Sequence, residues 1–311
     1  MSKKAAGEDD SPSYKDDELV INYHDAVIYG SDLKLVSSPT AWLNDSCILF
    51  YMTYLEKKYN DGNTFIKMMD PSVTSYFMHQ CVDEDEIDDS VSGFELPTVT
   101  TDEAPPSPSS TTLLSPSSFS TSEIPNLGMK VIGKIFIPIN DNMSISHSRT
   151  WTQPGGGNHW SLLLLVLSNS TFGGNSKLVS YIHLDSIQNS HNSVAAADVV
   201  TKLDRYIFEP NGYMPFTSKV LQQSKNTPQQ RNSYDCGIHM LMAIEQILLT
   251  NSDTTSTLLL EVQQYERILQ EYVRNHPTFC QELRSTISNT IVDIAAKSSA
   301  SSKKKAKTAT K

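Results

Sequence analysis

At 311 residues with 38% hydrophobic side chains, the chain has enough apolar material for one large domain or two small ones, and for the core of a globular enzyme. Its 25 Lys and Arg against 35 Asp and Glu give a net charge of -10, which sets the surface as a whole against nucleic acid and anionic membrane and tolerates a basic partner, though many soluble proteins are as acidic. The four cysteines, Cys47, Cys81, Cys236 and Cys280, form no CxxC pair and no short zinc-holding spacing, which argues against a structural metal site.

The opening MSKKAAGEDD lacks the apolar stretch of a signal peptide, and no apolar run approaches the ~18 residues of a membrane span. The expectation is an intracellular protein, in the cytoplasm, the nucleus or both, whose thiols stay reduced. Residues 1–17 are polar without period and read as a loose, disordered arm. In AWLNDSCILFYMTYLEKKY (41–59), Ile48, Leu49, Met52 and Leu55 fall at helical spacing, and Asn44 and Asp45 suit the start of that helix as caps. An acidic run, DEDEIDD at 83–89, reads as a solvated segment or a docking site. It leads into a stretch, 97–125, in which 20 of 29 residues are Pro, Ser or Thr; too little apolar surface is present there to offset the entropy of ordering, so a disordered insertion is expected at about 92–127.

Three apolar, β-branched runs follow: KVIGKIFIPI (130–139), HWSLLLLVL (159–167) and KLVSYIHLD (177–185). They read as strands of one sheet, and their near-continuous apolarity implies cover on both faces. GIHMLMAIEQILL (237–249), Leu258 to Arg274 and Thr278 to Ala296 favour helix, the last two separated by Pro277. The expected order is helix, strands, helices, in a single domain over 18–295. The basic tail, 296–311, reads as disordered, serving as a nuclear-import signal or a solubilising segment.

The chemistry centres on Cys236 in QQRNSYDCGIHM, at a loop-to-helix junction. A helix N-terminus offers unpaired N–H groups and about half a positive charge, which favours thiolate over thiol and can hold an oxyanion beside the sulfur. An isolated cysteine is ordinarily a small buried hydrophobe, and the other three are read that way. A nucleophilic thiol needs a base, and the base needs a third group to fix its tautomer. Among eight histidines, His159 opens an apolar strand after the turn PGGGN, where a scaffold holds it rigidly. Asp185 ends the next strand, so pairing of the two would set a carboxylate beside an imidazole; on its own, Asp185 reads by default as a turn cap.

Four blocks, WLND (42–45), GGNHWSLL (156–163), HLDS (183–186) and QRNSYDCG (230–237), resemble the ubiquitin-like-protein-specific, or sentrin-specific, cysteine proteases. The resemblance covers about residues 18–295 apart from the insertion. Within the family, PINDN (138–142) and the SYDCG context are more similar to the deneddylase branch, which acts on the neddylation modifier, than to the SUMO proteases. The order His, Asp, Cys separates it from papain, whose cysteine comes first.

The resemblance implies an α+β, papain-like fold with a mixed central sheet flanked by helices. It implies a triad of His159, Asp185 and Cys236, with Gln230 donating its amide to the oxyanion hole; Gln229 is adjacent, but the spacing to the cysteine favours Gln230. It also implies that Trp42 and Trp160 frame a narrow channel selecting the Gly-Gly end of a modifier, and that Asp45 contacts substrate. Core packing for the tryptophans and capping for Asp45 remain open alternatives. No cofactor or metal is implied. The implied reaction is isopeptide deconjugation and precursor processing by a monomer, with the neddylation modifier and conjugates such as cullins as partners and neither nucleic acid nor membrane. A SUMO protease, an acyltransferase with the same triad and an inactive modifier-binding protein are the alternatives. Arg231 after the glutamine, the extra SNSTFGGNSK (168–177) and the long stretch between Asn142 and Gly155 depart from the family pattern and bear on substrate choice.

Overall fold

A computed structural model describes residues 14–60, 65–80, 129–141, 159–170, 176–215, 222–250 and 258–309. The acidic run, the Ser/Pro/Thr-rich insertion, the stretch from Asn142 to Gly155 and the middle of SNSTFGGNSK lie outside these residues.

Apolar runs become strands of a six-stranded mixed sheet. Strand β4 (Met129–Asn140) pairs antiparallel with β5 (Trp160–Ser170), and β5 pairs antiparallel with β6 (Ser176–Leu184). A short strand, β3 (Phe65–Met68), runs parallel to β4 at one edge. Two others, β7 (Tyr213–Pro215) and β8 (Gln222–Gln223), run parallel to β6 at the other. Ahead of the sheet, β1 (Leu19–Tyr23) and β2 (Ala26–Tyr29) form a hairpin whose loop residues, His24 and Asp25, both have positive φ. Such two-residue loops require left-handed backbone, and Asp and His enter it more readily than most residues.

The run LLLLVL in β5 resolves into two faces. Leu162, Leu164 and Val166 join one core with helices α2 (Asp45–Tyr59), α5 (Cys236–Leu249), α6 (Leu258–Asn275) and α7 (Phe279–Ala309). Leu163, Leu165 and Leu167 join a second core beneath α4 (Asn192–Leu203) and the π-helical turn Asp204–Phe208. Alternation inside an unbroken apolar run is what a strand covered on both faces requires. Each buried leucine contributes ~2 kcal/mol of transfer free energy. The α+β class with a mixed sheet flanked by helices is as expected. The order of elements is richer than helix, strands, helices: the hairpin, α1 (Gly30–Ser37), α3 (Pro71–Gln80) and α4 were not anticipated.

Helix α5 positions the site. Its residues Ile238 to Ile244 are all buried, as are Ile247 and Leu248, so it is apolar on every side and runs through the larger core. Its first turn lies against the entry to α2: a Cβ on Gly237 would stand 3.2 Å from Ile48 and 3.3 Å from Leu43. A bare glycine there lets the WLND and DCG segments meet.

Two boundaries are corrected. Residues 14–17, assigned to the loose arm, are held on α1: the Ser31 amide donates to the Asp16 carbonyl at 3.0 Å and Lys34 pairs with Asp16 at 2.5 Å. The tail beyond residue 296, read as disordered, continues α7 to Ala309, since Ala, Lys and Ser interrupt a helix only weakly. Among the described residues no helix is long and apolar enough to cross a membrane.

Candidate active site

Cys236 is the first residue of α5 and only 3% exposed. The helix's first internal bond runs from the His239 amide to the Asp235 carbonyl at 2.9 Å, so the amides of Cys236, Gly237 and Ile238 have no partner within the helix. Donors of this kind beside a sulfur are what an acyl-transfer intermediate needs.

His159 immediately precedes β5 and Asp185 immediately follows β6. The register Leu162↔Leu184 sets these two strand ends side by side, and His159 Nε2 lies 2.6 Å from Asp185 Oδ1. Asp185 Oδ1 also accepts the Ile187 amide at 2.8 Å, and its Oδ2 accepts the Ser190 hydroxyl. The turn-cap and ring-orienting roles that the sequence left as alternatives are thus held by one carboxylate. Burial alone would raise Asp185, but the bonds from His159, Ser190 and Ile187 outweigh it and hold the carboxyl below its usual range. Burial would lower His159, yet the hydrogen bond to Asp185 and the nearby Cys236 sulfur outweigh it and lift it to about 9. With Nε2 engaged by Asp185, the buried Nδ1, which closes no short hydrogen bond, is the nitrogen left for the Cys236 thiol.

These shifts make the pair's stability depend on pH in a defined window. His159, raised from 6.5 to about 9, contributes fully below pH 6.5 and loses its contribution as pH rises through 9. Asp185, depressed from 3.8, contributes fully above pH 3.8 and loses its share as acid titrates it. The melting temperature of the wild type minus that of Asp185→Ala is therefore expected to be widest between pH 3.8 and 6.5 and to shrink toward pH 9; a difference that grows with alkali would refute the pairing.

Behind the imidazole, two residues that the sequence reading missed hold the pair in place, one through the backbone and one through the carboxylate. Asn192, fully buried, sets its Nδ2, with two hydrogens to share, within reach of the His159 carbonyl at 3.2 Å, the Ile139 carbonyl at 3.2 Å and Ser161 Oγ at 2.9 Å. Ser190 binds the far oxygen of Asp185. Their only sequence mark is a pair of polar residues at the entrance of an apolar helix. His183 of the HLDS block faces away from the thiol, bonded to Ser161 Oγ at 2.9 Å, and burial pushes it down to about 4.

Gln230 is stitched to the strand that ends in Asp185: its amide N–H donates to the Ser186 carbonyl at 3.0 Å, and its Oε1 accepts the Ser186 hydroxyl at 2.7 Å. Its Nε2 donates to the Asn232 carbonyl at 2.6 Å. Gln229 is committed to backbone groups of Gln188, Asp185 and Thr227. The two tryptophans part company. Trp160 is 6% exposed in the larger core, its indole N–H donating to the Leu43 carbonyl at 3.0 Å, whereas Trp42 is 43% exposed. Asn44 rather than Asp45 caps α2, accepting the Cys47 amide at 3.0 Å; Asp45 begins the helix and is exposed. No group of three or more His, Cys, Asp or Glu among the described residues is placed to hold a metal.

A thiol at a helix start, an imidazole beside it and a carboxylate behind the ring together form an arrangement able to carry out nucleophilic acyl transfer. The chain is similar to several known proteins. The Ulp1 protease family, C-terminal catalytic domain, matches residues 129–279. The chain is 28% identical over 294 residues to a probable sentrin-specific protease 8 of Dictyostelium discoideum, covering 89% of this chain and 98% of that one. It is 25% identical over 226 residues to the NEDD8-specific protease 1 of Arabidopsis thaliana, covering 73% and 74%. Among solved structures, the SUMO protease Ulp1 with its catalytic cysteine oxidised to a sulfinic acid aligns with a TM-score of 0.45 at 19% identity, covering 90% of each chain.

Proposed function

We propose, from the match to the Ulp1 protease family and the similarity to sentrin-specific and NEDD8-specific proteases, that the chain is a cysteine protease of that family and a deneddylase, with Cys236 as nucleophile, His159 as base and Asp185 as the group that orients it. The observation that carries the catalytic assignment is the His159 imidazole, bound through Nε2 to the Asp185 carboxylate at 2.6 Å with its buried Nδ1 left free of any hydrogen-bond partner among the described residues. The Cys236 sulfur attacks the carbonyl carbon of the modifier's terminal glycine while His159 holds the thiol proton. The tetrahedral oxyanion is met by backbone N–H groups at the start of α5 and by an amide N–H of Gln230. Collapse expels the lysine amine, protonated by His159, and leaves a thioester that water hydrolyses with His159 as base.

Trp42, Asp45 and Trp160 make up the substrate side of the proposal. Trp42 offers an exposed indole beside the entry to α2, and Trp160 supports the same loop from beneath through the Leu43 carbonyl. The neddylation modifier is preferred to SUMO because of PINDN and SYDCG, and because a relative carries the name NEDD8-specific protease 1. Conjugates such as cullins are the corresponding cellular substrates, with activity in the cytoplasm or nucleus.

The test is a panel of neddylation-type, SUMO-type and ubiquitin modifiers, each bearing a C-terminal electrophile. The neddylation type is expected to label the wild type at least roughly tenfold faster than the others, equivalent to ~1.4 kcal/mol of selectivity, and to leave Cys236→Ala unlabelled. Faster labelling by SUMO would overturn the modifier assignment alone. No labelling by any of the three would overturn the catalytic one.

A further inference from the structure

Arg284 of α7 is 3% exposed and makes a buried ion pair with Asp235, the residue before Cys236, at 2.9 Å. The same guanidinium donates to the carbonyls of Ala41 at 2.8 Å, Leu35 at 3.4 Å and Tyr234 at 3.5 Å. One planar cation thus ties the strand of chain leading into Trp42 to the strand leading into Cys236. The other Asp235 oxygen accepts Asn232 Nδ2 at 2.8 Å. Asn232 Oδ1 accepts the amides of Tyr234 at 3.1 Å and Asp235 at 3.0 Å, and the Asn232 carbonyl accepts Gln230 Nε2 at 2.6 Å.

The consequence lies in the geometry of a carboxamide. Gln230 Oε1 is fixed by the Ser186 hydroxyl at 2.7 Å, and one Nε2 hydrogen is taken by the Asn232 carbonyl. The group is planar, so holding two of its corners fixes the direction of the third, the remaining N–H. We propose that Asn232 and Arg284 are positioning residues for catalysis: the relay Arg284–Asp235–Asn232 holds the turn before Cys236 so that the remaining Gln230 N–H stays directed at the developing oxyanion. This rests on the reading of Gln230 as an oxyanion donor. A donor that wanders loses most of its worth, because its value lies in being oriented before charge appears.

The test is a double-mutant cycle on a neddylation modifier with a fluorogenic C-terminal amide. Asn232→Ala, at a half-buried loop position, is expected to lower kcat about tenfold with KM within about twofold and to lower the melting temperature by a few degrees, since Asp235 loses a hydrogen bond. Gln230→Ala is expected to lower kcat about a hundredfold. If Asn232 acts through Gln230, adding Asn232→Ala to Gln230→Ala lowers kcat no further. Arg284→Lys, which keeps the charge but not the planar fork, is expected to lose severalfold in kcat and likewise to add nothing in the Gln230→Ala background. Independent, multiplying losses would overturn the relay, as would a neutral Asn232→Ala. A neutral Gln230→Ala would instead overturn the oxyanion reading on which the relay rests.

Discussion

His159→Ala is expected to lower kcat by about four orders of magnitude, whereas Asp185→Asn is expected to lower it only about a hundredfold. In the proposed mechanism, truncating His159 removes both the base for the Cys236 thiol and the acid that protonates the leaving amine. Asparagine at 185 keeps more than half of the original arrangement. Asp185 Oδ1 receives two donors, His159 Nε2 and the Ile187 amide at 2.8 Å, so the amide oxygen is favoured there and the NH₂ group is turned toward Ser190, whose hydroxyl can accept. The imidazole therefore stays in its working tautomer, and what is lost is the charge. That loss lowers His159 from about 9 toward its ordinary 6.5, so the alkaline limb of the pH–rate profile should move toward acid in Asp185→Asn. Comparing kcat and the pH profile of both variants checks this; an Asp185→Asn enzyme as inactive as His159→Ala would mean that the Ile187 amide does not select the orientation.

Arg284→Met is expected to destabilise the fold by ~3–5 kcal/mol, a large share of the ~5–15 kcal/mol that a domain commonly possesses. Methionine replaces the volume but leaves the Asp235 carboxylate buried opposite an apolar group, and it also strands the carbonyl of Ala41. The Asn232 amide and the Cys280 thiol that share Asp235 do not carry a balancing positive charge. A second substitution, Asp235→Asn, should then restore part of the loss, because it removes the uncompensated charge. Urea unfolding of the single and double variants reads this directly. A double variant less stable than Arg284→Met would show that the penalty does not come from the buried carboxylate.

How much of this was legible in the sequence depends on range. The pairing of β5 with β6 followed from two apolar runs, and with it the meeting of His159 and Asp185, because strand ends that pair carry their flanking residues together. The start of α2 was legible from Asn44, a residue suited to capping. The β1–β2 hairpin was not, since its turn is His24-Asp25 rather than a glycine-containing pair. Asn192, Asn232 and Arg284 were invisible for a different reason. Arg284 reaches the Ala41 carbonyl across 243 positions, and nothing local distinguishes an arginine that will be buried from one that will be solvated. The two tryptophans show the same limit: both sit in family blocks, yet only the fold separates the exposed ring of Trp42 from the buried one of Trp160.

The two-faced leucine run of β5 has one more consequence. Sliding that strand by a single position against β6 would exchange its faces, sending Leu163, Leu165 and Leu167 into the wrong core, and would also part His159 from its acid. Correct threading and chemical competence are thus tested by the same alignment. In the proposed mechanism, a molecule zipped out of register would lose its turnover along with its packing.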